Sequence, residues 1–433
     1  MQQRLIYHIL VKFFQKGKPG LLPPRGYYRY QEPEAIHGDL AGVIQALPYL
    51  QDLGVDTIWL SPIHPSRTTH CYDVEDYFDI DPYQSDTDPG SRFMLFKELL
   101  NRAREKNIKI ILDLVLNHVS HSYRAHKIPT QLPRPKVSRA SNSQERQWSH
   151  TFVYWHKKDK ATEEFLIGVG RYWLYQGVDG FRLDYVPGRS RIFWKRFCDA
   201  MRRINPSVIL IGEAWEAKGS ASRNYQFLNR YREVYKKPVF GSLFDFTLQS
   251  AIVHGLGNGS LTGLAHALLQ SMSMIGKDFM PAVFLDNHDM PRFLNRIHNP
   301  RMLIAGLILC ALYPGYWCLE YGTELGVSGH SHGGKAEERG RVRMPWERLN
   351  SPNPIRTLIR KLARLRQNFA HDLLIIKKVD DRHLLLNRGE WYGLIVKQTM
   401  IYPYRSAYDI TTDSTVLTGK RLEPGGYLLR EIK

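Results

Sequence analysis

The sequence predicts an eight-stranded parallel α/β barrel, a (β/α)8 fold of the TIM type, with a short insertion after the third strand and a C-terminal antiparallel β domain. Three observations carry this. Apolar, β-rich runs alternate with segments of helical periodicity from Leu5 to Tyr321. Four of the runs, IILDLVLNH, GVDGFRLDYV, VILIGEAWE and AVFLDNHDMPRF, finish in acids, histidines or arginine, as strands of a parallel barrel do at their C-terminal ends. The 433 residues exceed the roughly 250 that such a barrel needs, leaving room for an insertion and a second domain.

The first strand is expected over Leu5 to Val11. Asp39 then N-caps a helix whose apolar residues keep helical spacing to a stop at Gly54. Strand two, Asp56 to Leu60, leads into SPIHPSRTTHCYDVEDYFDIDP, and a helix from Arg92 to Lys106 feeds strand three, Ile108 to Val115. From Val119 to Lys160 periodicity disappears in a polar stretch rich in Pro, Ser and Arg; so long a structureless segment inside a barrel is usually functional. Alternation resumes with a helix from Thr162 to Gln176 before the strand ending at Asp184, and a helix from Arg191 to Ile204 before the strand ending at Glu213. A weaker strand, Val239 to Phe246, follows. Then come a helix from Leu261 to Met274, the strand ending at Asp289, a helix from Met302 to Leu312 and strand eight, Tyr316 to Tyr321. Every crossover should be right-handed. A basic amphipathic helix, Ile355 to Phe369, closes the barrel, and beyond Asp372 short runs (HLLLN, WYGLIVKQ, STVLTG, GGYLLREIK) separated by turn residues predict antiparallel strands. The domain limits are therefore 1–118 and 161–371 for the barrel, 119–160 for the insertion and 372–433 for the β domain.

Composition narrows the function. A hydrophobic fraction of 43% excludes global disorder. Lysine and arginine outnumber acids 60 to 42, a net charge of +18. No groove-reading motif accompanies that charge, so a solvated basic surface is expected and nucleic-acid binding is not. Cys71, Cys198, Cys310 and Cys318 are scattered without CxxC spacing, which suits reduced thiols in a cytoplasm. No apolar run approaches the ~20 residues of a membrane span. His8 inside LIYHILV and Lys12 after it make that run a strand rather than a signal peptide. Nothing in the sequence speaks to oligomeric state.

The chemistry is carried by Arg182 and Asp184, two residues apart on one strand and therefore on one face. An adjacent guanidinium keeps a carboxylate ionised and fixes its rotamer, as a nucleophile requires. For an isolated pair a buried structural ion pair is the plainer explanation; the three companion stretches turn the balance towards a site. Retaining glycosidic cleavage needs two carboxyl groups about 5–5.5 Å apart, and neighbouring strands lie about 4.8 Å apart. Asp184 is the expected nucleophile. Glu213, preceded by an apolar run and followed two residues later by Trp215, is the expected general acid and base. Asp113 is placed to orient Arg182 from the neighbouring strand.

In their order and nearly in full, the four stretches resemble the four signature regions of the α-amylase family of glycoside hydrolases, the likeness running from about Ile6 to Trp346. The resemblance implies the same roles for Asp184 and Glu213, and makes Asp289 a third carboxylate that stabilises the oxocarbenium-like transition state. It implies that His118 and His288 donate to the same sugar and that Tyr72, in His70-Cys71-Tyr72-Asp73, stacks on it; Asp73, Arg182 and Arg292 are counted among the substrate-binding residues. The segment 119–160 falls where the family carries its domain B. Asn117 matches a calcium-ligating position, but the insertion has no acidic cluster and calcium needs six to eight oxygens. No cofactor is required, and a calcium ion stays an option.

Three departures bear on substrate. Cys71 stands where the family usually has glycine. The Lys-His pair that holds the leaving sugar in starch-cleaving endo-enzymes is replaced in Asp184-Tyr185-Val186-Pro187-Gly188. Val186-Pro187 resembles trehalose synthases, NHDMPRF resembles neopullulanase-like and α-glucosidase-like members, and RVRMPWE, Arg341 to Glu347, resembles small-oligosaccharide enzymes. A typical neopullulanase would carry a further domain before the barrel. The resemblance thus implies a retaining hydrolase of α-1,4 bonds in maltooligosaccharides or starch-like α-glucans, acting through a glucosyl-Asp intermediate. The alternative is an α-glucosidase or a glucosyl transferase or isomerase; a non-catalytic glycan-binding relative is disfavoured because no catalytic carboxylate is replaced.

Overall fold

The computed structural model describes residues 3–31, 34–125, 128–215, 221–329, 340–369 and 372–432. Eight parallel strands run in chain order: β1 (Leu5–Ile9), β2 (Thr57–Leu60), β3 (Lys109–Leu114), β4 (Gly180–Leu183), β5 (Ile209–Gly212), β6 (Ser242–Leu243), β7 (Ala282–Val283) and β8 (Tyr316–Glu320). Their spatial order is β6-β5-β4-β3-β2-β1-β8-β7. A parallel bridge from Phe244 to Ala282 joins β6 to β7 and closes the barrel. Strand alternation sends Ile6, Trp59, Ile111, Ile211, Phe244, Phe284 and Cys318 into one buried cluster inside it, while Leu5, Tyr7, Ile9, Ile58 and Leu60 join the larger core under the helices.

Most helices lie where periodicity puts them, with start signals a little earlier. Asp39 caps Leu40–Leu53 by accepting from the Gly42 amide, and Gly54 ends that helix at φ 89°. Helix Pro89–Glu105 begins three residues before the expected Arg92 because Asp88 caps it and Pro89 takes the first position; Asn299 and Pro300 do the same for Pro300–Leu312. Besides the short helices Val11–Phe14 and Phe293–Ile297, two longer helices are corrections. Ala221–Arg232 is unexpected because its sequence, ASRNYQFLNRYR, is mostly polar. Phe246–Leu256 begins inside the run that reads as a strand from Val239 to Phe246. The strand there is only Ser242–Leu243, and Asp245 caps the helix by accepting from the Leu248 amide at 2.8 Å.

The insertion is also more ordered than its composition predicts. His118–Ser120, Phe152–Trp155 and Val137–Ser138 form an antiparallel sheet with Phe152–Trp155 central, and helix Ser143–Trp148 precedes that strand. Val119, Tyr154 and Trp155 are buried; the remaining polar positions cover so small a unit that no apolar period emerges.

Six C-terminal strands pair antiparallel in the spatial order Leu374–Val379, His383–Arg388, Trp391–Val396, Gly425–Glu431, Ala407–Asp409, Ser414–Val416. This sheet lies directly on helix Pro300–Leu312. A Cβ on Gly426 would meet the Ala305 Cα at 2.4 Å, and one on Gly393 the Leu312 Cδ1 at 2.5 Å. Buried Arg388 donates to the carbonyls of Leu312 and Phe369, both at 2.9 Å. The expected boundary at residue 371 lies outside the described residues.

Candidate active site

The barrel register brings the acidic strand ends together. β3 and β4 pair with Asp113 opposite Arg182, and β4 pairs β5 with Leu183 opposite Gly212, so Asp184 and Glu213, each one residue past its strand, become neighbours. The buried Arg182 guanidinium links three carboxylates. Its Nη1 donates to Asp113 Oδ1 at 2.9 Å and to Asp184 Oδ1 at 2.7 Å, and its Nη2 lies 2.6 Å from Glu213 Oε1. One guanidinium thus holds both carboxyl groups, the nucleophile–acid pairing that retaining cleavage needs. Asp113 Oδ2 also accepts from Tyr72 Oη at 2.8 Å and Trp59 Nε1 at 3.1 Å. Asp113 is thus wholly engaged in holding Arg182 and Tyr72.

Burial pushes the Glu213 carboxyl well above its ordinary range; the Arg182 charge opposes this, and the anions Asp184 and Asp289 reinforce it. The protonated form that a general acid needs is therefore favoured. For Asp289 burial also acts upwards, but His288, Arg341 and Arg182 outweigh it and hold the carboxyl well below the usual range. Two carboxyls in one pocket are driven in opposite directions by their neighbours, the pattern that separates acid from anion.

Around this pair stand the other expected residues. Tyr72 and His288 stack with ring centroids 5.3 Å apart, their Oη and Nε2 2.7 Å apart, and His288 Nε2 lies 3.1 Å from Asp289 Oδ2. His118 is buried with its ring 4.0 Å from that of Phe152, and neither of its ring nitrogens has a hydrogen-bond partner among the described residues. Burial lowers its pKa, so it stays neutral. Two expected residues are placed differently. Asp73 accepts from Ser66, Thr68 and the Arg67 amide and organises its own loop. Arg292 is fully buried below the cleft, 3.6 Å from Asp286 and 3.9 Å from Glu320, and donates to the Tyr321 carbonyl.

Five further residues take part in contacts at the site that the sequence does not reveal. Arg341 donates from Nη2 to Asp289 Oδ1 at 3.0 Å and from Nε to the His288 carbonyl at 2.9 Å; its segment, RVRMPWE, is too far along the chain to be tied to Asp289 without coordinates. Trp59 lies under Arg182, 5.1 Å from ring centroid to guanidinium. His8 and Glu320 form a buried pair at 2.6 Å, with the His8 ring tilted by 30° against Trp59 at a centroid distance of 3.7 Å; they stand next to last in β1 and last in β8, in no motif. The Tyr185 amide donates to Glu213 Oε2 at 3.0 Å, a contact no side-chain reading could reveal. Trp215, half-exposed, stacks at 14° on Phe246, and Trp148 of the insertion meets Tyr185 edge-on.

The donors around Asn117 do not suit a calcium ion. Its Nδ2 donates to Glu145 Oε1 at 3.3 Å, and the same carboxylate is taken by the Lys157 ammonium at 2.7 Å and by the Ser141 amide at 2.6 Å. Glu145 is the only carboxylate among these contacts, far short of six to eight oxygens.

The family model described as alpha amylase, catalytic domain, matches residues 9–164 and 154–368. Alpha-amylase 3 of Dictyoglomus thermophilum is 31% identical over 67% of this chain and 61% of its own length. Neopullulanase 2 of Thermoactinomyces vulgaris is 25% identical over 92% of this chain and 71% of its own. The chain thus spans about three fifths of the first of these relatives. Among solved structures, an Anoxybacillus alpha-amylase superposes with a TM-score of 0.77 at 22% identity, covering 99% of this chain and 98% of that one. Among the described residues, no helix is long and apolar enough to cross a membrane.

Proposed function

This chain belongs to the α-amylase family, and on that premise we propose that it is a retaining glycoside hydrolase acting on α-1,4-glucosidic bonds of maltooligosaccharides or starch-like α-glucans. The observation that carries the proposal is the single guanidinium of Arg182 holding Asp184 and Glu213 side by side. Asp184 attacks the anomeric carbon while Glu213 gives its proton to the glycosidic oxygen; the C–O bond breaks, the leaving sugar departs, and a glucosyl-Asp184 ester remains. Glu213, now ionised, takes a proton from water, whose oxygen displaces Asp184 and restores both groups. Asp289, His288 and His118 bind sugar hydroxyls, and the excess of anions stabilises positive charge at the ring as it develops. Four buried, unpaired cysteines support a cytoplasmic setting.

The second reading, glucosyl transfer, is favoured by one feature. The Lys-His pair of the family's endo-enzymes is absent after the nucleophile, where Tyr185 follows Asp184 and meets Trp148 of the insertion edge-on, and aromatic faces hold a sugar acceptor in preference to water. A time course from maltoheptaose, with trehalose and sucrose alongside and the anomer of the first product read by NMR, tests both. Short maltooligosaccharides in the α-configuration are expected; products longer than the substrate would establish transfer, and β-configured products would exclude the retaining assignment. A 5-fluoro-glycosyl fluoride should label Asp184 by mass; a label on another residue would remove the assigned nucleophile.

A further inference from the structure

We propose that the ammonium of Lys157, with the guanidinium of Arg189, takes the place of a divalent cation in pinning the insertion to the barrel, so that the chain's stability and activity are independent of calcium. Seven contacts support this. Lys157 Nζ lies 2.7 Å from Glu145 Oε1 and donates to Ser141 Oγ at 2.6 Å. Glu145 is fully buried, and its other oxygen accepts from the Ser141 amide and hydroxyl at 2.6 and 2.8 Å. Asn117, three residues beyond the third barrel strand, donates to that same carboxylate at 3.3 Å, so the barrel and the insertion meet on Glu145. Arg189, 3% exposed, donates from Nη1 to the carbonyls of Trp155 and His156 at 3.3 and 3.2 Å, oxygens that a hard cation would otherwise attract.

Space and charge both speak against an added ion. A Cβ on Gly188 would lie 2.3 Å from Asn117 Oδ1, so the backbone already covers the one Asn117 oxygen that lacks a partner. Glu145 carries one negative charge and Lys157 neutralises it. A divalent ion in the same place would face a net cation and too few oxygens. Asn142 extends the clamp to the reaction centre, because its Nδ2 donates to Tyr185 Oη at 3.3 Å and Tyr185 follows the nucleophile. Loosening the insertion should therefore be felt at Asp184.

The test uses the full chain and reads stability and limited proteolysis together with activity, so its outcome does not depend on the proposed substrate. Wild-type protein dialysed against EDTA should keep its Tm, its protease resistance and its rate, should hold far less than one equivalent of calcium by elemental analysis, and should gain no Tm when calcium is returned. Lys157→Gln should lower Tm by about 5 °C and expose the insertion to cleavage, with Lys157→Arg recovering most of both. A wild-type Tm that falls with EDTA and returns with calcium would overturn the proposal. So would Lys157→Gln with unchanged Tm and protease resistance.

Discussion

At the scale of single residues the site is a set of carboxyls sorted by their neighbours, and its pH response follows. Glu213 is raised above its ordinary value of 4.5 mainly by burial. A carboxyl whose folded pKa is raised contributes stability in the protonated state, and that contribution is lost as pH rises from the ordinary value through the raised one. Activity should follow the same proton: kcat/KM is expected to fall on the alkaline side as Glu213 ionises, and Glu213→Gln should abolish that limb while lowering the rate about 10³-fold. An unchanged alkaline limb in the variant would assign the proton elsewhere. Arg341 gives a second prediction. Arg341→Leu leaves Asp289 with His288 as its remaining ion-pair partner and should lower kcat/KM by about 10- to 100-fold, more through kcat than KM, with Arg341→Lys regaining part of the loss; equal loss in both variants would mean that only the shape of the side chain matters. Asp184, Glu213 and Arg182 could be read from sequence because each lies in a short motif at a strand end. Arg341, Trp59 and the His8–Glu320 pair could not, since their meaning exists only once distant segments meet.

At the scale of elements, legibility followed how much local chemistry each one carries. Helix Leu40–Leu53 shows apolar spacing, a cap and a glycine stop, and it forms as expected. β6 and β7 are two residues each, so neighbours across the barrel set their limits, and Asp289 lies six residues beyond the end of β7 at Val283. Helix Phe246–Leu256 was hidden because the aromatic and aliphatic residues of Val239–Phe246 leading into it resemble a strand, and tertiary packing overrode that propensity. Asp39 does more than cap its helix. Its carboxylate accepts from the Gly42 amide at 2.8 Å, from Gly17 at 3.0 Å and from Lys18 at 2.9 Å, tying the first loop to the first helix in a fully buried place. Asp39→Ala should cost about 2–4 kcal/mol in chemical denaturation; a loss under about 0.5 kcal/mol would show that water replaces it.

At the scale of the whole molecule, the C-terminal sheet packs on the barrel at glycines that let its backbone come close to helix Pro300–Leu312. Gly426 leaves just enough room for Ala305, so Gly426→Val should force the sheet from its helix at a cost of about 1–3 kcal/mol or more. Calorimetry of the wild type should show one transition, and the variant should split it or lower it; two transitions in the wild type would mean that the sheet folds independently. The overall class was legible because alternation repeats along hundreds of residues and averages out local errors, whereas the way one domain rests on another leaves no periodic trace. The salt link between Lys157 and Glu145 carries a last consequence. An ion bound from solution fills its place by mass action, so the roof it supports weakens as the free ion is diluted. A cation attached to the chain has no such concentration term: its local supply is set by covalent geometry, and the closure it provides is the same in a calcium-poor medium as in a calcium-rich one.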